Sequence, residues 1–317
     1  MGKIISLVNQ KGGVGKTTSS INLSACLAAA EKKVLLIDLD PQGNASTGSG
    51  LKSESYASRN IYHAMIGLEK ISNAIYKTEL PLFDICPSDN NLIGAEIELV
   101  SEFAREAKLK TAFEDVKDKY DYILIDCPPS LGLLTVNALN ASDGFIVPLQ
   151  TEYFAMEGLA QLLNTVRLVR SSLNTKLELI GVLLTMFDSR ANLHKQVSTE
   201  IRKHFGDQVF ETIIPRNIKL SECPSFGKPI ILYDIESKGS EAYLSLAKEF
   251  LIRERDKAIN NNSINETHSY SGLWSSRADC GNNHKGDFRG LRGHGSFFER
   301  DRAYWCGRRQ HGTMGGI

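Results

Sequence analysis

Seven short apolar runs recur along the chain up to residue 214, and most of them are continuously apolar rather than alternating with polar residues. A continuous apolar run of this length is typical of a parallel strand that is buried on both faces of a sheet. The predicted strands are residues 4–8, 34–38, 83–86, 122–126, 144–148, 179–185 and 210–214.

Stretches with helical periodicity lie between these runs, for example residues 19–30, 92–116 and 157–173. The alternation predicts an α/β fold: a doubly wound, mostly parallel sheet with helices on both faces, reached by right-handed crossovers. In such folds the ligand binds at the carboxyl ends of the strands. We expect one domain to cover residues 1–256.

The composition changes after residue 256. Residues 257–317 contain ten glycines, and nine Lys or Arg against five Asp or Glu give them a net charge of +4, which leaves −4 on residues 1–256. This composition predicts an irregular tail without a packed core. Two interpretations stay open, a disordered basic arm that touches DNA and a non-native extension such as a read-through in a shifted frame, and we favour the second.

The most informative motif is Lys11-Gly-Gly-Val-Gly-Lys16-Thr17-Thr18, which stands between the first predicted strand and the first helical run. A strand, a glycine-rich turn and a helix start form a cradle of backbone N–H groups for phosphates. Lys16 is expected to reach the β- and γ-phosphates, and the Thr17 hydroxyl to bind Mg²⁺. Gln10 stands where the usual pattern has its first glycine, and Lys11 adds a second lysine. The predicted nucleotide-binding residues of the loop are Lys11, Gly12, Gly13, Val14, Gly15, Lys16, Thr17 and Thr18.

Carboxylates follow two of the predicted strands. Asp38 and Asp40 are two residues apart, so their side chains point the same way if the strand continues that far. Asp38 is a candidate for the water shell of a metal ion, and Asp40 for orienting or activating the attacking water. Asp126 ends the apolar run 122–125 and is followed by Pro128-Pro129. An apolar strand that ends in Asp is what a Mg²⁺-binding Walker B strand requires.

Two further patterns are weaker. Pro215-Arg216-Asn217 follows the last predicted strand, where a proline and an amide can hold an adenine ring, although the triplet alone reads as an ordinary turn. Several basic residues are solvated surface unless the fold brings them onto one face; they are Arg190, Lys195, Arg202, Lys203, Lys219 and Lys228.

The bulk properties exclude several classes. The formal net charge is zero, so any DNA binding has to come from a local patch. The six cysteines form no Cys-x-x-Cys pair, which argues against a disulfide framework or a zinc site and fits a reducing cytoplasm. No apolar run approaches the length of a membrane span, and no signal peptide precedes the first strand.

Together these residues resemble the ParA/Soj chromosome- and plasmid-partition ATPases of the deviant Walker A (MinD/ParA) group. The resemblance covers residues 1 to about 250. It rests on Lys11–Thr18 and on four further segments, Asp38-Leu-Asp-Pro-Gln-Gly-Asn44, Ile125-Asp-Cys-Pro-Pro-Ser130, Met186-Phe-Asp-Ser-Arg-Ala-Asn192 and residues 214–229.

The resemblance implies ATP and Mg²⁺ as cofactors and a weak ATPase activity that a partner stimulates. ATP would promote a face-to-face homodimer in which Lys11 crosses the interface to the partner's phosphates, a role like that of an arginine finger. Gly12 would have to be small for the two loops to approach. Asp40 matches the hydrolysis residue of the family, and Asp38 and Asp126 lie where carboxylates reach the metal through water.

The same resemblance assigns further contacts. Pro215 and Asn217 match adenine contacts, and Arg190 and Lys219 match positions that bind double-stranded DNA without sequence preference. The implied partner is a ParB-like centromere-binding protein, and the implied place is the nucleoid in the cytoplasm, in the service of chromosome or plasmid segregation, without stable membrane association.

Two alternatives use the same nucleotide fold. A MinD-like membrane-cycling ATPase for division-site placement needs a C-terminal amphipathic helix with a basic face, whereas residues 241–253 read better as a core-packing helix. An electron-transfer iron protein bridges a cluster between subunits with two cysteines per chain. Cys86 and Cys127 are present, but Cys127 directly follows Asp126, which is not the spacing of that family.

Overall fold

The computed structural model describes the backbone of residues 2–274 and the side chains of residues 2–259. The chain divides into two units, Met1–Asn260 and Asn261–Ile317. The sheet and the candidate site both lie in the first unit.

The sheet of the first unit has seven strands: β1 Lys3–Leu7, β2 Val34–Asp38, β3 Tyr76–Lys77, β4 Phe83–Cys86, β5 Tyr122–Asp126, β6 Gly144–Gln150 and β7 Glu178–Thr185. Their order is β3-β4-β2-β5-β1-β6-β7. Every neighbouring pair is parallel except β3 with β4. The predicted doubly wound, mostly parallel sheet is confirmed.

The helices are α1 Lys16–Ala29, α2 Asn44–Gly48, α3 Ile61–Met65, α4 Leu92–Glu98, α5 Lys108–Ala112, α6 Leu133–Ala141, α7 Ala155–Ser172, α8 Asn192–Phe205, α9 Ile218–Glu222, α10 Ile230–Tyr233 and α11 Lys238–Trp274. Apolar side chains of the central strands alternate between two buried clusters, so that Ile4 belongs to one and Ile5 to the other. Because each cluster lies on one face of the sheet, helices cover both faces, as predicted. Among the described residues no helix has both the length and the hydropathy needed to cross a bilayer.

The predicted strand 210–214 is wrong. The backbone touches β7 only through isolated bridges and single bonds, such as Phe210 N to Val182 O at 2.9 Å and Ile214 N to Leu184 O at 2.9 Å. Between them, the N–H groups of residues 211 and 212 donate to the Glu249 carboxylate of α11, both at 2.8 Å. A side chain has taken the donors that a strand would have paired.

The predicted helix 92–116 is also wrong, because it is broken into α4, α5 and short 3₁₀ turns. Ala104 adopts a left-handed conformation with φ 51°. Side-chain amides of α6 then take the next carbonyl oxygens, with Asn137 Nδ2 on Arg105 O at 2.9 Å and Asn140 Nδ2 on Glu106 O at 2.7 Å. Because these two carbonyl oxygens accept bonds from α6, residues 92–116 do not form one continuous helix.

The last helix carries buried Tyr243, Leu246 and Phe250, so the expected core packing of residues 241–253 is confirmed. It then continues to Trp274, beyond the residue at which we expected an irregular tail. No glycine or proline occurs between residues 257 and 271, so nothing in that stretch stops a helix. The remainder of the predicted tail, from residue 275, lies outside the described residues.

Candidate active site

The loop between β1 and α1 has the backbone of a phosphate cradle. Gly13 and Gly15 adopt φ values of +72° and +84°, in the left-handed region that glycine enters at no steric cost. Gly15 is the N-cap residue of α1, and no side chain of the described residues caps that helix end. The first turn of a 14-residue helix therefore presents its N–H groups and positive potential to the loop.

Lys16 is the cation of this cradle. Its side chain is nearly buried, and Nζ donates to the Lys11 carbonyl oxygen at 3.1 Å. Burial lowers the pKa of Lys16, against the opposing effect of nearby charges that include Asp126 and Asp40. A buried ammonium that is paired with a neutral carbonyl is poorly compensated, which makes this position favourable for an anion such as a phosphate.

Asp38 and Asp126 end neighbouring parallel strands and stand directly opposite each other in the register of β2 and β5. Both are fully buried. Burial, followed for Asp126 by the negative charge of Asp38, raises the pKa of each carboxyl above its ordinary value. Two buried carboxylates side by side are stabilised by a cation, and Lys16 alone does not restore their ordinary pKa values.

Asp126 has room for one more partner. Its Oδ1 accepts from Ser20 Oγ at 2.9 Å, and the Thr17 hydroxyl lies close enough to lower the pKa of this carboxyl. Its Oδ2 is buried without a hydrogen-bond partner among the described residues. An unpaired carboxylate oxygen beside a threonine hydroxyl fits a hydrated Mg²⁺ ion, which takes few protein ligands and otherwise water and phosphate oxygens. The described residues contain no group of three or more His, Cys, Asp or Glu with metal-binding geometry.

Asp38 is more heavily bonded than Asp126. Its Oδ2 accepts from the Ser46 backbone at 2.7 Å and from Ser46 Oγ at 2.6 Å, and its Oδ1 accepts from Asp40 N at 3.3 Å. The carboxylate thereby ties the end of β2 to the start of α2. A metal contact by Asp38, which the sequence suggested, stays a prediction and would have to use water or a change in the Ser46 bonds.

Asp40 lies at the mouth of the same site. Its charge is close enough to act on the pKa of Lys16, and only 8% of the residue is exposed. Its Oδ1 accepts from Gln42 N at 3.0 Å, and its carbonyl oxygen accepts from Ser88 Oγ. The turn is thus fixed from two sides, while the carboxylate stays at the edge of the cradle.

Lys11 and Gly12 face outward. The Lys11 side chain is 49% exposed and is ion-paired with Glu152, whose side chain is 41% exposed. A Cβ on Gly12 would meet only the Pro129 Cβ, at an ordinary 3.9 Å, among the described residues. Nothing in the described chain requires a glycine at position 12 or a lysine at position 11.

Pro215 and Asn217 are held near the end of β7. Pro215 bridges to Phe187, and Asn217 is the N-cap of α9, accepting from Lys219 N at 2.8 Å and Leu220 N at 3.4 Å. The cap occupies Oδ1, so a base contact from this side chain has to come from the Nδ2 amide.

We expect Asn217→Asp to keep the cap and to weaken ATP binding about 3- to 10-fold, the value of one hydrogen bond. Aspartate accepts from the α9 amides as well as asparagine does, but it has no donor for a ring nitrogen. Nucleotide titration and thermal unfolding of the same samples measure the two effects separately. Unchanged ATP affinity would remove this residue from the base site.

Arg190 and Lys219 are exposed cations in two different segments of the chain. Arg190 follows β7, and Lys219 lies in the first turn of α9. Of the other basic residues singled out by the sequence, Arg202 bonds to the Phe210 carbonyl and to Glu211, and Lys228 pairs with Glu79. Those two residues serve contacts within the chain.

Several residues of the site carry no sequence signal. Thr185 ends β7, and its Oγ1 donates to the Val14 carbonyl of the phosphate loop at 2.8 Å in a buried position. The next residue, Met186, has a left-handed φ of 50°. Ser20 and Ser46 hold the two buried carboxylates, as described above. The Thr185–Val14 and Ser20–Asp126 contacts join residues far apart in the chain, so spacing alone could not reveal them.

The four cysteines in the described part of the chain do not form a surface site for an iron–sulfur cluster. Cys26, Cys86, Cys127 and Cys223 are free and buried, and Cys86 and Cys127 lie in the same core cluster. A buried cysteine cannot bridge a cluster to a second subunit, which disfavours the iron-protein alternative. Cys280 and Cys306 lie outside the described residues.

Comparison with known proteins settles the family. The AAA domain family model matches residues 2–179. The chain is 54% identical over 258 residues to the chromosome partitioning protein ParA of Myxococcus xanthus, covering 81% of this chain and 91% of that protein. It is 57% identical over 249 residues to the sporulation initiation inhibitor protein Soj of Bacillus subtilis, covering 78% of this chain and 98% of that protein. The chain belongs to the ParA/Soj family.

This ParA/Soj-family chain is also similar to a solved structure, cobyrinic acid a,c-diamide synthase from Mycobacterium smegmatis with bound ADP and magnesium. The identity is 33% and the TM-score is 0.71, over 80% of this chain and 96% of that one. The predicted resemblance to the ParA/Soj family is therefore confirmed, together with the P-loop fold that carries the site.

Proposed function

We propose that this chain is an ATP-dependent dimerisation switch that hydrolyses ATP and binds DNA without sequence preference to drive chromosome or plasmid segregation. The observation that carries the proposal is the combination of a complete phosphate cradle with an outward-facing Lys11 and an unobstructed Gly12. A site that needed only its own chain would have no use for a lysine pointing away from it.

The chain's own residues divide the work of binding. The loop amides and Lys16 receive the phosphates, while Thr17 and, through water, the carboxylates of Asp126 and Asp38 would hold Mg²⁺. The solved relative with bound ADP and magnesium supports these cofactors. When bound, Mg²⁺ neutralises charge on the phosphate oxygens. Pro215 and Asn217 position the base.

Hydrolysis needs an oriented water and stabilisation of the developing charge. Asp40 lies at the edge of the cradle. It orients the attacking water or accepts a proton from it. Lys16 stabilises the transferring phosphoryl group from its own side, and Lys11 of a second copy does so from the other. Because the second lysine arrives only in the dimer, hydrolysis is coupled to dimerisation and stays slow in the isolated chain.

Segregation requires a transient hold on DNA. Arg190 and Lys219 supply exposed cations for phosphates, which explains binding without sequence preference and with strong salt dependence. A ParB-like partner stimulates hydrolysis, which dissolves the dimer and releases the DNA. The chain is then cytoplasmic and nucleoid-associated while it holds ATP.

Duplex DNA binding in the presence of ATP, ADP or no nucleotide tests the proposal, with Asp40→Ala used to hold the ATP state. We expect tight, salt-sensitive binding with ATP alone. Arg190→Ala and Lys219→Ala should each weaken it about 3- to 10-fold, because each removes one phosphate contact. Lys33→Ala is the matched control, since this exposed lysine precedes β2 at the opposite ends of the strands.

Two results would redirect the proposal. Absence of DNA binding in every nucleotide state, with ATP-dependent binding to liposomes instead, would favour a MinD-like membrane-cycling ATPase. Equal losses from Lys33→Ala and Arg190→Ala would show that general charge, and not a defined surface, attracts the DNA.

A further inference from the structure

Both cations proposed to bind DNA are held by a carboxylate close to them in the chain. The Arg190 guanidinium grips Asp188 with two bonds, Nε to Oδ1 at 3.0 Å and Nη2 to Oδ2 at 2.9 Å. Lys219 Nζ donates to Glu222 Oε2 at 3.1 Å. A turn after β7 and the short helix α9 thus show the same arrangement, an exposed cation with its own intramolecular anion.

Each carboxylate also has a second partner that fixes its position. Asp188 Oδ1 accepts from the Arg190 backbone N–H at 3.0 Å, which closes the turn after β7. Glu222 Oε2 accepts from the Tyr233 hydroxyl at 3.0 Å, and Lys219 Nζ lies 5.6 Å from the centre of the Tyr233 ring. The anions are therefore anchored to the fold, whereas the Arg190 side chain is 89% exposed to solvent.

We propose that Asp188 and Glu222 are affinity-setting residues of the DNA surface, because they compete with DNA phosphates for Arg190 and Lys219. This inference rests on the proposed DNA binding by those two cations. A phosphate that approaches either cation has to displace the carboxylate or lie beside it, and both events cost free energy. The two acids keep DNA affinity below what the cations alone would give.

The size of the effect follows from the exposure of the pairs. An exposed ion pair is worth little, so each carboxylate is expected to reduce DNA affinity only about 2- to 5-fold. The salt dependence of DNA binding is a second measurable effect. When a phosphate replaces a carboxylate, the freed carboxylate takes up a counterion, which offsets one released from DNA. Removing the acid should steepen the slope of log K against log salt by up to about 1 per site.

The test uses Asp188→Asn and Glu222→Gln in the full chain with ATP and a random-sequence duplex at several salt concentrations. Both replacements keep the shape and the acceptor oxygen, so the turn after β7 and the Tyr233 bond remain possible. Each variant should bind the duplex about 2- to 5-fold more tightly than the original chain, with a steeper salt slope. Thermal unfolding and ATP titration check that fold and nucleotide site are intact.

Glu211→Gln is the matched control, because it makes the same change in net charge at an exposed ion pair with Arg202. Unchanged affinity and slope in both test variants overturn the inference, as does an equal gain in Glu211→Gln. If Asp188→Asn loses its fold, Asp188→Ser with its shorter neutral acceptor replaces it. Should Arg190→Ala and Lys219→Ala leave binding unaltered, the proposed DNA surface itself is wrong, a result distinct from failure of the counterion inference.

Discussion

Replacing Lys11 by alanine is expected to lower ATP hydrolysis at least about 100-fold while leaving ATP affinity nearly unchanged. The lysine lies on the outside of its own loop and pairs only with Glu152 in the described chain. Its removal therefore costs the free chain little, whereas the proposed dimer would lose a positive charge aimed at the transferring phosphoryl group. Steady-state phosphate release and equilibrium nucleotide binding measure the two quantities.

A mixture of Lys11→Ala and Asp40→Ala chains separates action across the dimer from action within one chain. Each variant is inactive alone, but in a mixed dimer the Lys11→Ala chain keeps its own Asp40 and receives a lysine from the other copy. In an equal mixture half of the dimers are mixed and each has one complete site, so recovery of hydrolysis to about a quarter of the original rate supports the crossed site. If the mixture stays inactive although mixed dimers form, Lys11 works within its own chain.

Replacing Lys16 by methionine is expected to weaken ATP binding about 100-fold and to abolish hydrolysis. The same change should leave the melting temperature of the nucleotide-free protein unchanged or higher. Burial lowers the pKa of Lys16, which means that the folded state penalises its charged form relative to the unfolded chain. Methionine keeps the apolar stem and removes that penalty.

Isothermal titration with ATP and thermal unfolding without nucleotide test this pair of effects together. A loss of stability as large as the loss of affinity would show that Lys16 acts as a structural cation for Asp126 and Asp40. Lys3→Met serves as a control, because Lys3 also pairs with a carboxylate, Glu254, but lies at the amino end of β1, away from the loop.

The buried strands could be predicted because each is an unbroken apolar run between turns, and a sheet buried on both faces leaves no other pattern. β3 was missed because two residues at a sheet edge carry no periodicity. The strand predicted at residues 210–214 is absent for a physical reason. An apolar segment forms a strand only if its backbone N–H groups bond to a neighbouring strand, and here two of them donate to the Glu249 carboxylate instead. Tertiary contacts decided what local pattern could not.

The site divides in the same way. The positions of the phosphate loop, Asp40 and Asp126 near strand ends could be predicted because each follows an apolar run in the sequence. Their supporting contacts are not predictable: Ser20 on Asp126 and Glu152 on Lys11 join elements that only the folded sheet brings together. The acids that hold Arg190 and Lys219 were likewise missed, although both lie within three residues of their cations.

The hydrogen bond from Thr185 to the Val14 carbonyl connects the phosphate loop to the chain segment that leads to Arg190. Thr185 touches the phosphate loop, and Arg190 is five residues farther along the chain. Five residues span at most about 18 Å when fully extended. The phosphate loop and the proposed DNA-binding Arg190 are thus connected by a short segment of chain that contains the left-handed Met186. A change at the phosphate loop can therefore alter the position of Arg190 through the segment that follows β7, without any hinge motion between domains.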